Sequence, residues 1–445
     1  MYFSILWHLH QPIYRDAETR EYVLPWVNFH ITKNYHQMAS LAEEAGFPCT
    51  FNLVPCLLEQ IDEYARGKAS DPLQRMLEKD PGKLTPEETS RLSGFLPPGN
   101  AEARGDALQL AVLRSFFSPL LAPPTEKDAL LELQGRVQGQ VIPHFKRLRS
   151  AKIVELTTSA YFHPLLPLIF DLSVAGESLM PGRRFAHPED GVKQISKGRD
   201  YFVDIFGEPP QGFWPSEGGI SRAVARAVAR EGYRFALTDE NVLWKSLRSG
   251  PDPARLCRPH RVEGLSIFFR DSELSNLLSF EYWRWPEQDA VSHFLAKIED
   301  RRRACPEDGI CTVALDGENP WAGYRENGVP FLREFYSRLK NSPGLTPVFF
   351  GDYLDRARPQ VEIDLAPGTW LGNFSKWVGS PAKNAGWEKL ARIRGKCRAG
   401  NALFTAEGSD WFWWFGERNV REFNSLFEGY LRRALGSKGK AARDA

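Results

Sequence analysis

The sequence predicts an α/β barrel, on three observations. Short apolar, β-branched runs recur along the chain, helical patterns fill the gaps between them, and seven or eight such units follow one another. Strands alternating with helices form parallel βαβ units, and that many in succession favour a closed barrel over an open sheet.

The strands are expected at Tyr2–Leu9, Thr50–Val54, Ile153–Thr157, Gly212–Trp214, Arg234–Leu237, Leu265–Phe269, Cys311–Leu315 and Thr346–Phe350. Each ends in polar or turn residues. Helical patterns cover Ser221–Glu231, Asp289–Arg302 and Val329–Leu339, the first with Ser221 as N-cap and Gly232 as stop. Between about 59 and 143 the rhythm breaks: helix formers dominate, around the Pro/Gly stretch Phe95–Arg104 (FLPPGNAEAR). This reads as a helical insertion in a catalytic barrel spanning 1–350. From about Asp352 the barrel pattern stops, and Ala382–Arg398 and Val420–Leu435 look helical. Residues 351–436 are therefore expected to be a mainly helical C-terminal region, and the polar tail 437–445 to be disordered.

The bulk composition excludes several function classes. A chain of 445 residues with 42% hydrophobic content can bury a large core. Fifty-seven basic against 56 acidic residues give no long-range pull toward nucleic acid or an anionic membrane, so neither is expected as a partner. The N-terminus (MYFSILWHLHQP) lacks the basic segment and small-residue cleavage site of a signal peptide, and no apolar run is long enough for a membrane span. The six cysteines are scattered without a CxxC pair, which points to reduced structural thiols and a cytoplasmic location. Aromatics make up 12% of the chain, and many Trp sit beside Gly, Pro and charges, as at Trp283, Trp285 and the cluster Trp411, Trp413 and Trp414. Packing explains most aromatics, but Trp at loop edges is also what sugar rings stack on.

In such barrels chemistry sits at the C-terminal ends of the strands, and four of those ends stand out, with a fifth similar to the last of them. In WHLHQP, His8 and His10 point to one face of a strand that Pro12 ends; the pair could ligate a metal, bind a polar substrate or be structural. In GFWPSEGG, a short strand runs into a Gly-rich turn with Glu217 at its tip, which is either an ordinary turn or a close approach to a ligand. In TVALDGENPW, a buried-looking strand ends in Asp316, Glu318, an amide and Trp321. Helix signals resume only after Gly328, so an N-cap explains Asp316 poorly. Asp239 and Glu240 end the fifth strand, and Arg270 and Asp271 the sixth, as polar groups lining the same mouth. Two carboxyls on separate strand ends can serve a retaining glycosidase, where they flank the scissile bond about 5–5.5 Å apart.

Together these motifs resemble glycoside hydrolase family 57, in particular its branch of amylases and amylopullulanases. HLHQP (His8–Pro12), VELTTSAYFHPLLP (Val154–Pro167), GFWPSEGG (Gly212–Gly219) and LDGENPW (Leu315–Trp321) look like the family's first four regions, in order. GTWLGNFSKWVG (Gly368–Gly379) and EGSDWFWWFG (Glu407–Gly416) resemble later stretches of the branch. The resemblance implies a (β/α)7 barrel with a helical C-terminal region, retention of anomeric configuration and no obligatory metal in catalysis; no cofactor is expected. It assigns the nucleophile to Glu217 and the acid/base to Asp316. His8, His10, Asp239, Glu240, Arg270, Asp271 and Glu318 are then expected to contact sugar hydroxyls, Glu318 from the rim, while Trp214, Trp321 and Trp370 stack on sugar faces. The substrate class is an α-glucan or maltooligosaccharide. A 4-α-glucanotransferase would use the same residues. A metal-dependent polysaccharide deacetylase holding an ion on His8 and His10, and a glucan-binding protein without catalysis, are the other readings.

Overall fold

The computed structural model describes residues 1–96, 105–121, 123–356, 360–418 and 420–436. Most of the Pro/Gly stretch Phe95–Arg104 and the tail 437–445 thus lie outside the described residues. Nine strands are described: β1 (Tyr2–Leu9), β2 (Cys49–Leu53), β3 (Val154–Thr157), β4 (Gly212–Phe213), β5 (Phe235–Asp239), β6 (His260–Val262), β7 (Leu265–Arg270), β8 (Ile310–Asp316) and β9 (Thr346–Pro347).

Parallel pairing gives the orders β3-β2-β1-β8 and β4-β5-β7. Two seams join these into one ring. At the first, Thr158 bridges Phe213 in parallel, and the Trp214 N–H donates to the Thr158 carbonyl at 2.9 Å. At the second, the Asp271 N–H donates to the Thr312 carbonyl at 2.8 Å, and Arg270 Nη1 reaches the Ala314 carbonyl at 3.0 Å. Seven parallel strands thus enclose the axis, as a (β/α)7 barrel requires. β6 hangs on β7 as an antiparallel hairpin whose turn residues, Glu263 (φ 51°) and Gly264 (φ 89°), are both left-handed.

Strand alternation sorts the side chains. On β1, Phe3, Ile5, Trp7 and Leu9 pack outward under the helices, while Leu6 turns inward to meet Phe235, Leu237, Phe268 and Ala314. His8 shares the inward phase of Leu6, and Asp316 that of Ala314. Both faces of these strands are covered, which is why they read as continuous apolar runs. β5 and β7 run two and one residues further than the sequence suggests, and so carry Asp239 and Arg270 inside the ring. The expected strand Thr346–Phe350 shrinks to Thr346–Pro347, since Pro347 lacks a ladder N–H and a helix starts at Phe350.

Helices at Pro72–Glu78, Pro86–Ser93 and Gly105–Ser115 close over a small core of their own, built from Leu77, Leu92, Leu108, Leu113 and Phe116. The helix Lys127–Ser150 contains Pro143 and runs past the expected end of the insertion at 143. Helices at Pro381–Arg394, Asn401–Ala406, Ser409–Trp414 and Arg421–Gly436 pack with the outer core of the barrel. Among the described residues, no helix is long and apolar enough to cross a membrane. One cysteine expectation fails: Cys257 and Cys305 form a disulfide with Cα atoms 6.0 Å apart. Their 48-residue separation gave no signal, because only the fold brings the two loops together. Cys49, Cys56 and Cys311 remain buried thiols.

Gly212 faces the barrel interior at the first seam. A Cβ there would meet the Phe235 ring at 2.3 Å and Thr157 Cγ2 at 2.6 Å. Gly212→Ala should therefore cost about 1–3 kcal/mol of stability by overpacking, read as a lower urea midpoint at unchanged slope.

Candidate active site

A cavity of about 640 Å³ opens at the C-terminal ends of the strands, with Glu217 and Asp316 both in its lining. Asp316 ends β8 opposite His8 of β1 in the strand register. Glu217 follows two-residue β4 in a tight turn and has a left-handed backbone, φ 60°, a conformation that costs a non-glycine residue about 1 kcal/mol or more. It is held there from outside the turn: the Trp370 N–H donates to its carbonyl at 3.0 Å. Gly219 lets the turn close, since a Cβ would lie 2.2 Å from Leu165.

The side chain of Glu217 is gripped by a residue to which the sequence gave no role. Ser409 Oγ donates to Glu217 Oε1 at 2.9 Å, and His163 Nδ1 lies 3.1 Å from the same hydroxyl. With the Ser409 proton on the Glu217 carboxylate, the His163 Nδ1–H must donate to Ser409. This leaves His163 Nε2 a buried lone pair without a partner. His163 stacks on His10 with ring centroids 3.7 Å apart, and on His8 at 5.2 Å. Burial, then the neighbouring imidazoles, pushes His163 well below the usual histidine range; burial first, then His10, takes His8 to about 3. Both rings are therefore neutral. His8 Nδ1 is satisfied by Asn52 Oδ1 at 2.8 Å, and His10 Nε2 lies 3.0 Å from Asp410. His10 Nδ1, like His163 Nε2, is buried without a partner among the described residues.

Both candidate carboxyls are held above their ordinary range. Burial, then the charge of Asp410, raises Glu217 to about 8, against the Ser409 hydrogen bond. Burial also raises Asp316, but the Asn319 amide, His10 and Arg270 all pull it back.

Several expected contacts are spent elsewhere. Asp239, fully buried, accepts from Arg270 Nε at 2.7 Å and Ser272 Oγ at 2.8 Å, so this pair lies beneath the cavity, not at its mouth. Arg270 supports the site from below, with its guanidinium 5.6 Å from the Trp370 ring. Glu240 accepts from the Ser272 N–H at 2.8 Å and from Trp244. Asp271 caps the helix Ser272–Asn276 and pairs with Arg301 at 2.6 Å. Trp214 and Trp321 are wholly buried and present no face to a ligand: Trp214 packs under His8 and Trp370, and Trp321 on Trp7. Glu318 is not at the rim. Its buried carboxylate accepts from the His10 N–H at 2.6 Å, Tyr35 OH at 2.7 Å and Gln11 at 3.0 Å. His8, His10 and Trp370 do line the cavity, joined by Trp26, Trp413 and Trp414, which the sequence left unassigned.

His10, His163 and Asp410 bring three ligand-type atoms within 4.8 Å of one another. The face-to-face stacking of the two rings aims their lone pairs along nearly parallel planes, so one ring would have to turn before an ion could hold both.

Two acids that follow separate strands, in one cavity walled by tryptophan and imidazole, define a barrel of the glycoside hydrolase type. The chain belongs to glycosyl hydrolase family 57, whose model matches residues 4–366. It is 24% identical over 245 residues to alpha-amylase 1 of Dictyoglomus thermophilum, covering 53% of this chain and 32% of that protein. Over 207 residues it is 23% identical to a 4-alpha-glucanotransferase of Thermococcus kodakarensis, covering 44% and 29%. The matches thus span about a third of either relative's length. A family 57 branching enzyme from Pyrococcus horikoshii superposes with a TM-score of 0.65 at 16% identity, covering 98% of this chain and 87% of the other.

Ser409→Ala removes the hydroxyl that favours ionised Glu217. The Glu217 carboxyl should then titrate above about 8, which carbon NMR of labelled glutamate would detect as a shift in one resonance. An unmoved titration would mean that Ser409 does not set the charge of Glu217.

Proposed function

We propose that the protein is a retaining α-glucan hydrolase working by double displacement, with Glu217 as nucleophile and Asp316 as acid/base. One observation carries the reading: a buried and a half-buried carboxyl, both raised, in one open cavity with stacking surfaces and acceptors unpartnered among the described residues. Sugar hydroxyls are the donors that His10 Nδ1 and His163 Nε2 lack, and Trp370, Trp413 and Trp414 offer flat faces to pyranose rings.

In the first step Asp316 protonates the glycosidic oxygen while Glu217 attacks the anomeric carbon, forming a glycosyl ester. In the second, Asp316 takes a proton from water, which releases the sugar with its configuration retained. The pair must hold one proton between them. In the free site the electrostatics favour that proton on Glu217, contrary to the assignment, because Arg270, His10 and Asn319 favour ionised Asp316. Positive charge growing at the anomeric carbon favours the carboxylate of Glu217 and returns the proton to Asp316. The resemblance of GFWPSEGG and LDGENPW to the family's third and fourth regions supports the same direction. A sugar hydroxyl replacing water in the second step would make the protein a glucanotransferase, a reading favoured by the transferase among its relatives. Maltooligosaccharides would then be redistributed rather than shortened.

Glu217→Gln should lower turnover by several orders of magnitude while oligosaccharide binding persists. Azide should partly rescue Glu217→Ala and give a product of inverted configuration; near-normal turnover of Glu217→Gln would exclude the role. Asp316→Asn should abolish cleavage of glucans yet largely spare the first step on substrates with an acidic phenol leaving group. Glu318→Gln disturbs three donors and should weaken both substrate types alike. If Glu318→Gln shows the leaving-group dependence instead, Asp316 is not the acid. For the native protein, kcat/KM should fall as the pH rises through about 8 and the pair loses its last proton, measurable as the alkaline limb of the pH profile.

A further inference from the structure

A second cavity, of about 380 Å³, lies at the opposite end of the barrel. Tyr2 opens β1 there, and Asp308 sits just ahead of β8, so the cavity faces away from Glu217 and Asp316. Arg255, Arg258 and Arg356 line it against one carboxylate, Asp308. Arg258 Nη2 lies 3.0 Å from Asp308 Oδ1, and Arg255 is 3.4 Å from Asp252. Arg255 and Arg258 flank Cys257, whose disulfide to Cys305 fastens this loop to the end of the helix Glu287–Ala304. Tyr2 and Tyr353 form an aromatic wall, with ring centroids 5.4 Å apart and the Tyr353 hydroxyl donating to the Asp308 carbonyl at 3.0 Å.

Two buried polar atoms in this lining have no partner among the described residues. His260 is 6% exposed; its Nε2 donates to the Arg255 carbonyl at 3.0 Å, which places the proton on Nε2 and leaves Nδ1 a lone pair with no donor among the described residues. Burial and the Arg255 charge both lower the pKa of His260, so the ring stays neutral. The second atom is Gln360 Oε1, also an acceptor. Buried acceptors without donors are costly unless a ligand or water completes them.

Guanidinium forks call for an anion, and the two acceptors call for hydroxyl donors beside it. We propose that this cavity is a binding site for a sugar phosphate, with the phosphate held by Arg258, Arg356 and Arg255 and the sugar hydroxyls by His260 and Gln360. Free phosphate would satisfy the arginines alone, and a neutral sugar the acceptors alone. Only a phosphate ester carrying hydroxyls satisfies both.

Calorimetric titration of the full chain with glucose 1-phosphate, inorganic phosphate and glucose tests this without reading turnover, so the result stands whichever reaction the other face performs. Glucose 1-phosphate should bind about tenfold or more tightly than either fragment. Arg258→Gln combined with Arg356→Gln should weaken it by a similar factor, and His260→Ala should reduce it to the affinity of phosphate. Should His260→Ala fail to fold, Gln360→Ala tests the same contact from the loop side. Equal affinity for phosphate and glucose 1-phosphate, unchanged in the His260 and Gln360 variants, means an adventitious ion only and overturns the proposal. So does the absence of binding, or glucose binding as tightly as its phosphate.

Discussion

The geometry of the candidate active site depends on one buried carboxylate. Glu318 ties the turn after β8 to the His10 backbone, to Gln11 and to Tyr35 of the helix behind them. Burial raises this carboxyl to about 8 while the three donors pull it back, so its ionised form is tolerated only with those donors in place. His10 and Asp316, which sit on either side of this clamp, are fixed relative to each other by it. The rest of the LDGENPW motif serves the same joint. Gly317 passes so close to Leu9 that a Cβ would lie 2.6 Å away, and Trp321 fills the space against Trp7 while donating to the Gly317 carbonyl at 2.8 Å. Glu318 and Asn319 also line the cavity, but Glu318 is held by three donors, whereas Asp316 has a single side-chain hydrogen bond within the motif, to Asn319 at 3.1 Å.

The barrel was legible because its strands are buried on both faces and each ends at a turn signal. What the sequence concealed is the depth at which a polar strand end comes to rest. Asp239 and Arg270 read as mouth residues, yet each falls on an inward position of a strand slightly longer than its apolar run, where they neutralise each other. Trp214 and Trp321 sit beside Gly and Pro like stacking residues, but their neighbours are other aromatics. Ser409 and Asp410 lay within a stretch already marked as meaningful, and a Ser-Asp pair at a helix start reads first as a cap. Only tertiary contact, across nearly two hundred residues, shows that Ser409 holds Glu217. The hairpin β6–β7 went unread because its turn is Glu-Gly, where Asn-Gly or Asp-Gly gives the stronger signal.

The two ends of the barrel differ in electrostatic character. Five carboxyl groups line the upper cavity, beside three imidazoles, His8, His30 and His163, that burial keeps uncharged. Such a surface repels anions and favours the cationic character that develops when a glycosidic bond breaks. The lower cavity presents three guanidinium groups against one carboxylate, the upper one guanidinium, Arg418, against five carboxyls. A phosphorylated carbohydrate would be turned away at one end and held at the other, although both ends are built on the same strands.

The small core under Leu77, Leu92 and Phe116 is separate from the main one, and it reaches the upper cavity through aromatic edges. Phe29 packs on Phe116 at 5.2 Å, and Trp26, which lines the cavity, packs on both Phe29 and Phe95 at 6.1 Å. A satellite core of this size can open as its own cooperative unit at a free energy below that of global unfolding. Each such opening takes with it the support of one wall of the cavity while the barrel stays closed. On warming, the capacity to hold a ligand against Trp26 would then be lost before the fold, and the ceiling on working temperature would lie in these helices and not in the barrel.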